Sequence, residues 1–77
     1  MCEVKIRLEN MENAKKLVNI LTRYESDIDL MDGRIAIDAK SILGVCSVDL
    51  SKSFKLVIHD VANEEKNILE EIKPYIV

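Results

Sequence analysis

The stretch SDIDLMDGRIAIDAKSILGVCS, residues 26–47, decides the fold because it places two alternating apolar runs on either side of a turn signal. The alternating apolar residues are Ile28, Leu30, Ile35 and Ile37. Alternation of this kind is typical of a strand with one buried face, and Asp32-Gly33 between the runs is a frequent two-residue hairpin turn. The stretch therefore predicts a β-hairpin that turns at Asp32-Gly33.

The residues directly after this hairpin predict a short helix. Ser41 is a good N-cap, because its hydroxyl can accept a hydrogen bond from a free backbone N–H of the first turn. Ile42, Leu43, Val45 and Cys46 then fit one or two helical turns. At helical spacing, residues 42, 43 and 46 share one face.

The N-terminal part of the chain predicts a strand and a longer helix. Apolar residues at 4, 6 and 8 alternate with charged ones, as in a half-buried strand. A helix is predicted from Met11 to Tyr24, with Asn10 as its N-cap and apolar residues at helical spacing. Glu12 falls in the first turn, where a negative charge suits the helix dipole.

The C-terminal part repeats this strand–helix order. Alternation in SFKLVIHD predicts a strand with Phe54 pointing inward and His59 outward. The last segment, ANEEKNILEEIKPYIV, predicts a helix that Asn63 caps and Pro74 ends.

The element order is strand, helix, strand, strand, helix, strand, helix, which predicts an α+β fold with helices on one face of a sheet. We expect one domain over residues 1–77. The expected buried face comprises Val4, Ile6, Ile28, Leu30, Ile35, Ile37, Phe54, Leu56 and Ile58. The expected open face comprises Glu3, Lys5, Asp29, Arg34, Ala36, Lys55, Val57 and His59, and it is polar enough to stay in water.

Composition argues against several classes of protein. A net charge of -3 is unlike that of a nucleic-acid binder, which is usually basic. No apolar stretch approaches the roughly 20 residues that span a bilayer, and the N-terminus alternates instead of forming a signal-peptide core. We therefore expect a cytoplasmic protein, with no membrane or nucleic-acid partner, in which Cys2 and Cys46 are free thiols.

The segment KSILGVCS, preceded by a DG hairpin and RIAIDA, resembles the regulatory-serine segment of HPr, the histidine-containing phosphocarrier protein of the bacterial sugar phosphotransferase system. The family pattern is a lysine, a serine, two bulky aliphatic residues and a glycine, and residues 40–44 match it in order. The resemblance runs from about Tyr24 to the C-terminus. It implies an open-faced β-sandwich, with a four-stranded antiparallel sheet and three helices on one face (βαββαβα).

The resemblance fails at the residues that carry the family's chemistry. In the family, a histidine at the start of the first helix carries the phosphoryl group, and an arginine and a proline follow it closely. The corresponding segment here, ENMENAKK, contains none of the three. An ungapped extension from Tyr24 places Asn10 at the histidine position and Glu12 at the arginine position. An amide cannot act as the nucleophile, and a carboxylate would repel the phosphate.

His59 is the one histidine of the chain. The strand period places it on the open face, where a solvated side chain is its simplest interpretation. The alternatives are a relocated phosphoryl acceptor and a metal ligand. A single histidine without neighbouring ligands makes a poor metal site, so we predict no metal and no cofactor.

Ser41 has two compatible interpretations, a structural N-cap and a regulated phosphorylation site. By the resemblance, Lys40, Ile42, Leu43 and Cys46 belong to an exposed patch that docks onto partner proteins, although core packing must account for some of these residues. The expected partner is a protein, such as an HPr-type kinase or a transcriptional regulator.

Three functional hypotheses follow. The first is a regulatory or interaction protein that has lost phosphocarrier chemistry, similar in this respect to the catabolite-repression homologue of HPr. The second is a phosphocarrier that uses His59. The third is a small binding module without phosphorylation. A freestanding enzyme is not expected, because the sequence has no base–nucleophile pair and no phosphate-cradling loop.

Overall fold

The computed structural model describes residues 2–59 and 63–77. The elements are β1 (Cys2–Arg7), α1 (Met11–Leu21), β2 (Asp27–Asp32), β3 (Ile35–Asp38), α2 (Ile42–Cys46), β4 (Ser53–His59) and α3 (Glu65–Ile72), followed by a 3₁₀ turn (Lys73–Tyr75). None of the helices in these two ranges is both long and apolar enough to cross a membrane.

The four strands form one antiparallel sheet in the order β1-β4-β2-β3. The register places Ile58 beside Ile28, and Leu56 beside Leu30, so apolar residues of the central strands share one face. At the β1 edge, the C-terminal residues add a bridge between Ile6 and Ile76. The predicted four-stranded antiparallel sheet is therefore confirmed.

The helices cover one face of this sheet, as predicted. The buried core comprises Ile6, Leu8, Ala14, Leu17, Val18, Leu21, Ile28, Leu30, Ala39, Val45, Leu50, Phe54, Leu56, Ile58, Ile68 and Ile72. Lys5 and Lys55 are exposed on the opposite face, so the predicted strand phase is right. Val57 also lies on that open face, but it is only 7% exposed because its strand is central, with Glu3 and Asp29 opposite it on the two neighbouring strands.

The prediction that Ile35 belongs to the buried core is wrong. Ile35 points to the helix face but is 65% exposed. It lies on the edge strand and pairs with Asp32 at the hairpin end, two residues closer to the turn than Ile37. Helix α2 packs on Ile37, since a Cβ added at Gly44 would lie 2.8 Å from its Cγ2. The cover that α2 gives to β3 therefore centres on Ile37 and leaves Ile35 open.

The hairpin turn lies one residue later than predicted. Asp32 still pairs with Ile35, so the two loop residues are Gly33 and Arg34 instead of Asp32 and Gly33. Gly33 has a φ of 62°, a left-handed conformation that glycine adopts without steric cost. The glycine therefore occupies the first loop position and not the second.

Two helix ends also differ from prediction. Helix α1 ends at Leu21 instead of Tyr24, and residues 22–24 tighten into a turn in which the Tyr24 N–H donates to the Leu21 carbonyl at 3.1 Å. Asn63 does not cap α3, because its backbone is left-handed with a φ of 57° and the N-cap position falls on Glu64. Helix α3 ends at Ile72, before Pro74, as predicted.

Candidate functional site

The start of α1 is built around Asn10. Its backbone is extended, and its side-chain Oδ1 accepts the Asn13 N–H at 2.8 Å, which confirms the predicted N-cap. The Asn13 side chain in turn donates to the Leu8 carbonyl at 2.8 Å. The Asn10 amide oxygen is thus engaged in holding the first turn of the helix.

The residue before this cap is held in an unusual conformation. Glu9 has a φ of 73°, which a non-glycine residue rarely adopts. Its N–H donates to the Leu50 carbonyl at 2.8 Å, in the segment that follows α2. The start of α1 is therefore tied to the connection between α2 and β4.

The charges at the start of α1 are negative. Glu9 and Glu12 are both exposed there, and the Glu12 carboxylate pairs with Lys16 at 3.5 Å, one turn along the helix. Arg7 is the nearest arginine in sequence, but its guanidinium donates to the Ser53 hydroxyl at 3.2 Å on the open face of the sheet. This helix start therefore presents carboxylates and no arginine of its own segment.

The start of α2 uses the same capping geometry with a hydroxyl. Ser41 is half-buried, and its Oγ accepts the Gly44 N–H at 3.2 Å, which confirms the predicted N-cap. Its own N–H donates to the Asp38 carbonyl at 3.0 Å, and its carbonyl accepts the Val45 N–H at 2.9 Å. The hydroxyl thus lies at the junction between β3 and a short helix, partly open to solvent.

Lys40, expected in the partner patch, is half-buried, and its ammonium group points toward the chain between α1 and β2. Its Nζ donates to the Tyr24 carbonyl at 2.6 Å, and its N–H donates to the Asp38 carboxylate at 2.9 Å. The Tyr24 hydroxyl donates to Glu71, an interaction that raises the pKa of this tyrosine. Lys40 is therefore part of a network that links α1, β3 and α3.

The apolar residues of α2 divide into an inner and an outer set. Val45 is fully buried, and Cys46 is half-buried against the core. Leu43 is 84% exposed and Ile42 is 37% exposed. Met11, next to the α1 cap, is a further exposed apolar side chain at 54%, which the sequence did not predict. Where such exposed apolar side chains form a contiguous patch, the patch is typical of a contact surface.

His59 lies at the end of β4 on the open face, as predicted. Its Nε2 is 3.3 Å from the Asp29 carboxylate, and both side chains are partly exposed. The shallow depression around the ring is also lined by Asp27, Asp38 and Lys40. No three His, Cys, Asp or Glu residues within the described ranges are grouped so that they could hold a metal ion.

Two contacts of acidic side chains at the start of α3 were not predicted. The Glu64 carboxylate accepts the N–H groups of Glu25 and Ser26 and the Ser26 hydroxyl, each at 2.9 Å. The Cys2 thiol is hydrogen-bonded to Glu65, and this bond together with burial raises the pKa of Cys2 to about 11. Both contacts stabilise the fold around α3 and keep the Cys2 thiol in its unreactive protonated form.

The sequence model of the PTS HPr component phosphorylation site matches residues 3–77. The chain belongs to the HPr family. The match begins in β1, so it includes the start of α1. This membership relates the chain to the sugar phosphotransferase system.

Solved structures of HPr proteins share the fold. HPr-C-His from Thermoanaerobacter tengcongensis is 23% identical, with a TM-score of 0.76 over 96% of this chain and 89% of that one. HPr from Bacillus anthracis is 17% identical, with a TM-score of 0.74 over 99% and 96%. Crh, the catabolite-repression protein of Bacillus subtilis, is 24% identical, with a TM-score of 0.65 over 96% and 88%. No curated protein matches the chain.

Proposed function

We propose that this HPr-family chain does not carry phosphoryl groups and acts instead as a regulatory or protein-interaction protein through α2. The observation that carries the proposal is the start of α1. There the Asn10 amide caps the helix and two glutamates surround it. The absence of a family nucleophile at this place leaves α2 as the surface that matches the family pattern.

The chemistry at the α1 start supports this proposal. A phosphocarrier needs a nitrogen lone pair that attacks phosphorus and a cation that holds the phosphate oxygens. The nitrogen lone pair of an amide is delocalised, and the Asn10 oxygen already accepts a hydrogen bond. Glu9 and Glu12 would add like-charge repulsion against a dianionic phosphate.

At the start of α2, the surroundings favour a regulated serine. The Ser41 hydroxyl is partly open, and a phosphate there would add about -1.5 to -2 charges at neutral pH. Beside Ile42 and Leu43, this charge would turn an apolar patch into a mixed one that an arginine-bearing partner can bind. We propose an HPr-type kinase as the enzyme that modifies Ser41 and a transcriptional regulator as the kind of partner that binds the product. A cytoplasmic location goes with this proposal, because the kinase needs ATP.

Three carboxylates oppose a phosphocarrier role for His59. Asp29 lies against the ring, and Asp27 and Asp38 line the same depression. An incoming phosphoryl group would approach these negative charges at short range, and among the described residues Lys40 is the one cation that lines the depression. The regulatory role is therefore the better supported of the two.

The first experiment tests for phosphocarrier activity. We expect incubation with phosphoenolpyruvate and the first enzyme of the phosphotransferase system to leave the protein unlabelled. A His59→Gln variant is the matched control, since it removes the one alternative imidazole. Acid-labile phosphate on the wild type that disappears in this variant would overturn the proposal in favour of a His59 phosphocarrier.

The second experiment tests regulation at Ser41. Intact-protein mass after incubation with an HPr-type kinase and ATP should rise by one phosphate, and peptide mapping should locate it on Ser41. Ser41→Ala should abolish the modification. Ser47→Ala should not, although Ser47 is also exposed and bonded to Gly44 at the other end of α2. No phosphate, or phosphate on Ser47, Ser51 or Ser53 alone, would leave Ser41 as a cap and favour the simple binding module.

A further inference from the structure

The two edge strands of the sheet differ in whether another segment of the chain pairs with them. At the β1 edge, Ile76 bridges to Ile6, and the Val77 N–H donates to the Lys5 carbonyl at 3.0 Å. At the β3 edge, no strand of the described ranges pairs with the outer side of Ile35–Asp38. An uncovered edge offers main-chain donors and acceptors to another strand.

The hairpin geometry shows which groups β3 turns outward. The pair that closes a two-residue hairpin loop, here Asp32 with Ile35, exchanges hydrogen bonds, and such pairs alternate along an antiparallel ladder. Ile35 and Ile37 therefore direct their N–H and C=O groups toward β2. Ala36 and Asp38 direct theirs away from the sheet, and both residues are exposed, although the Asp38 carbonyl already accepts the Ser41 N–H.

The protection of the β3 edge is limited to its shortness, four residues, and to one charged residue, Asp38, at its end. The strand contains no proline and no lysine, and its register with β2 is continuous, without a bulge. Ala36, at its middle, has a small side chain that allows another strand to approach closely. The apolar side chain of Ile35 beside it is 65% exposed.

The sequence of this edge, Arg34-Ile35-Ala36-Ile37-Asp38, is complementary to itself in the antiparallel direction. A two-fold axis through Ala36 would place Arg34 opposite Asp38 at both ends of the pairing. It would also place Ile35 opposite Ile37 on the helix face, and Ala36 opposite Ala36 at the centre. Opposite charges and aliphatic residues in directly facing positions each favour strand pairing.

We propose that the β3 edge pairs with the β3 edge of a second copy of this chain, so that one antiparallel sheet continues through both molecules. The outward N–H and C=O of Ala36 would exchange hydrogen bonds with the same groups of the second copy. Ile35, which α2 leaves open, would be covered by Ile37 of the second copy, with Cα atoms about 4.5 Å apart in a non-hydrogen-bonded pair.

The charge order of the edge identifies the occupant. A foreign peptide needs only an extended backbone, whereas a second copy also brings an aspartate to each Arg34 and an arginine to each Asp38. One Asp38 oxygen accepts the Lys40 N–H and leaves the other oxygen for this ion pair. A pairing of five residues buries less surface than a standard interface, so the dimer is weak, and its exposed ion pairs make it salt-sensitive.

Charge reversal tests the proposal in solution. Sedimentation equilibrium of the wild type over a rising concentration series should show a monomer–dimer equilibrium that high salt weakens. Arg34→Asp and Asp38→Arg should each weaken self-association about tenfold or more, because each places like charges opposite one another at both ends. An equimolar mixture of the two variants should dimerise again, because each pairs its new charge with the unchanged charge of the other. Lys15→Asp, an exposed charge reversal on α1, is the matched control and should dimerise like the wild type.

A backbone variant provides an independent arm. Ala36→Pro removes an N–H that points outward, so it should abolish the dimer while circular dichroism still shows a folded chain. A wild type that stays monomeric at about millimolar concentration overturns the proposal. So does a dimer that neither charge reversal weakens, since that dimer uses another surface or an exchanged strand. A monomer that takes up an extended peptide at β3 also overturns it, in favour of the foreign occupant.

Discussion

The starts of α1 and α2 share one local geometry but differ in what surrounds it. In each, a side-chain oxygen accepts the N–H three residues later, at 2.8 Å for Asn10 and 3.2 Å for Ser41. Asn10 has exposed glutamates on either side of it in sequence, at positions 9 and 12. Ser41 is followed directly by the exposed aliphatic side chains of Ile42 and Leu43. A helix N-terminus therefore keeps its structural role with either side chain, because capping needs only an acceptor oxygen.

The largest expected effect comes from restoring the family residues at the start of α1. Asn10→His with Glu12→Arg should convert an unlabelled protein into one that takes up acid-labile phosphate from phosphoenolpyruvate and the first enzyme. The imidazole supplies the nucleophile, and the guanidinium replaces repulsion by a charge-assisted hydrogen bond. Radiolabel retained at high pH and lost in acid is the measurement.

Two single variants are the controls for this experiment. Glu12→Arg alone should stay unlabelled, since it adds no nucleophile, and Asn10→His alone should be labelled less than the double variant. An unlabelled double variant would show that the difference between the two helix starts does not lie in these two side chains.

The next effect concerns how closely α2 packs on β3. Gly44→Ala should lower the free energy of unfolding by about 1–3 kcal/mol, because the new Cβ would lie 2.8 Å from Ile37 Cγ2. Urea unfolding measures this loss. Asn19→Ala, at an exposed position of α1, is the control and should be neutral or slightly stabilising, because alanine favours helices.

A double variant tests whether the contact between residue 44 and Ile37 causes this loss of stability. Adding Ile37→Ala to Gly44→Ala should cost less than the sum of the two single losses, since the two side chains then no longer collide. Additive losses would mean that α2 lies farther from β3 than the structure shows.

Most of the fold could be predicted because its signals are local. Alternation with a period of two identified the four strands and their phase, and the caps at Asn10 and Ser41 depend on residues three positions away. The prediction that Ile35 is buried was wrong because alternation shows only which face a residue points to. It does not show whether a helix extends over that place.

The candidate site was less predictable where its contacts are distant in sequence. Lys40 meets the carbonyl of Tyr24, 16 residues away, and Glu64 meets Ser26, 38 residues away. No periodic pattern encodes such pairs. The Glu64 carboxylate bonds to Glu25 and Ser26, just before β2, and Asn63, the predicted cap, has a left-handed backbone.

A smaller effect should be common to both caps. Asn10→Ala and Ser41→Ala should each lower the free energy of unfolding by about 1 kcal/mol, because each leaves a helix N–H without its acceptor. Asn10→Asp and Ser41→Asp should retain most of the stability, since a carboxylate oxygen also caps. Of the four, only the two Ser41 variants should lose phosphorylation by the kinase. A loss near zero for either alanine variant would show that the hydrogen bond at that cap contributes nothing.

The smallest expected effect concerns Glu12 at the start of α1. Glu12→Gln should lower the free energy of unfolding by about 0.5 kcal/mol, because it removes an exposed i,i+4 pair with Lys16 and a negative charge near the helix N-terminus. Lys16→Gln removes the same pair without changing the charge at the helix start, so it should cost less. Urea unfolding at low and high salt separates the two contributions, since salt screens both. A small loss would mean that folding does not require a carboxylate at residue 12. Stability would then not explain why this position carries a side chain that repels phosphate. A loss above about 1.5 kcal/mol would contradict this and make Glu12 a structural part of the α1 start.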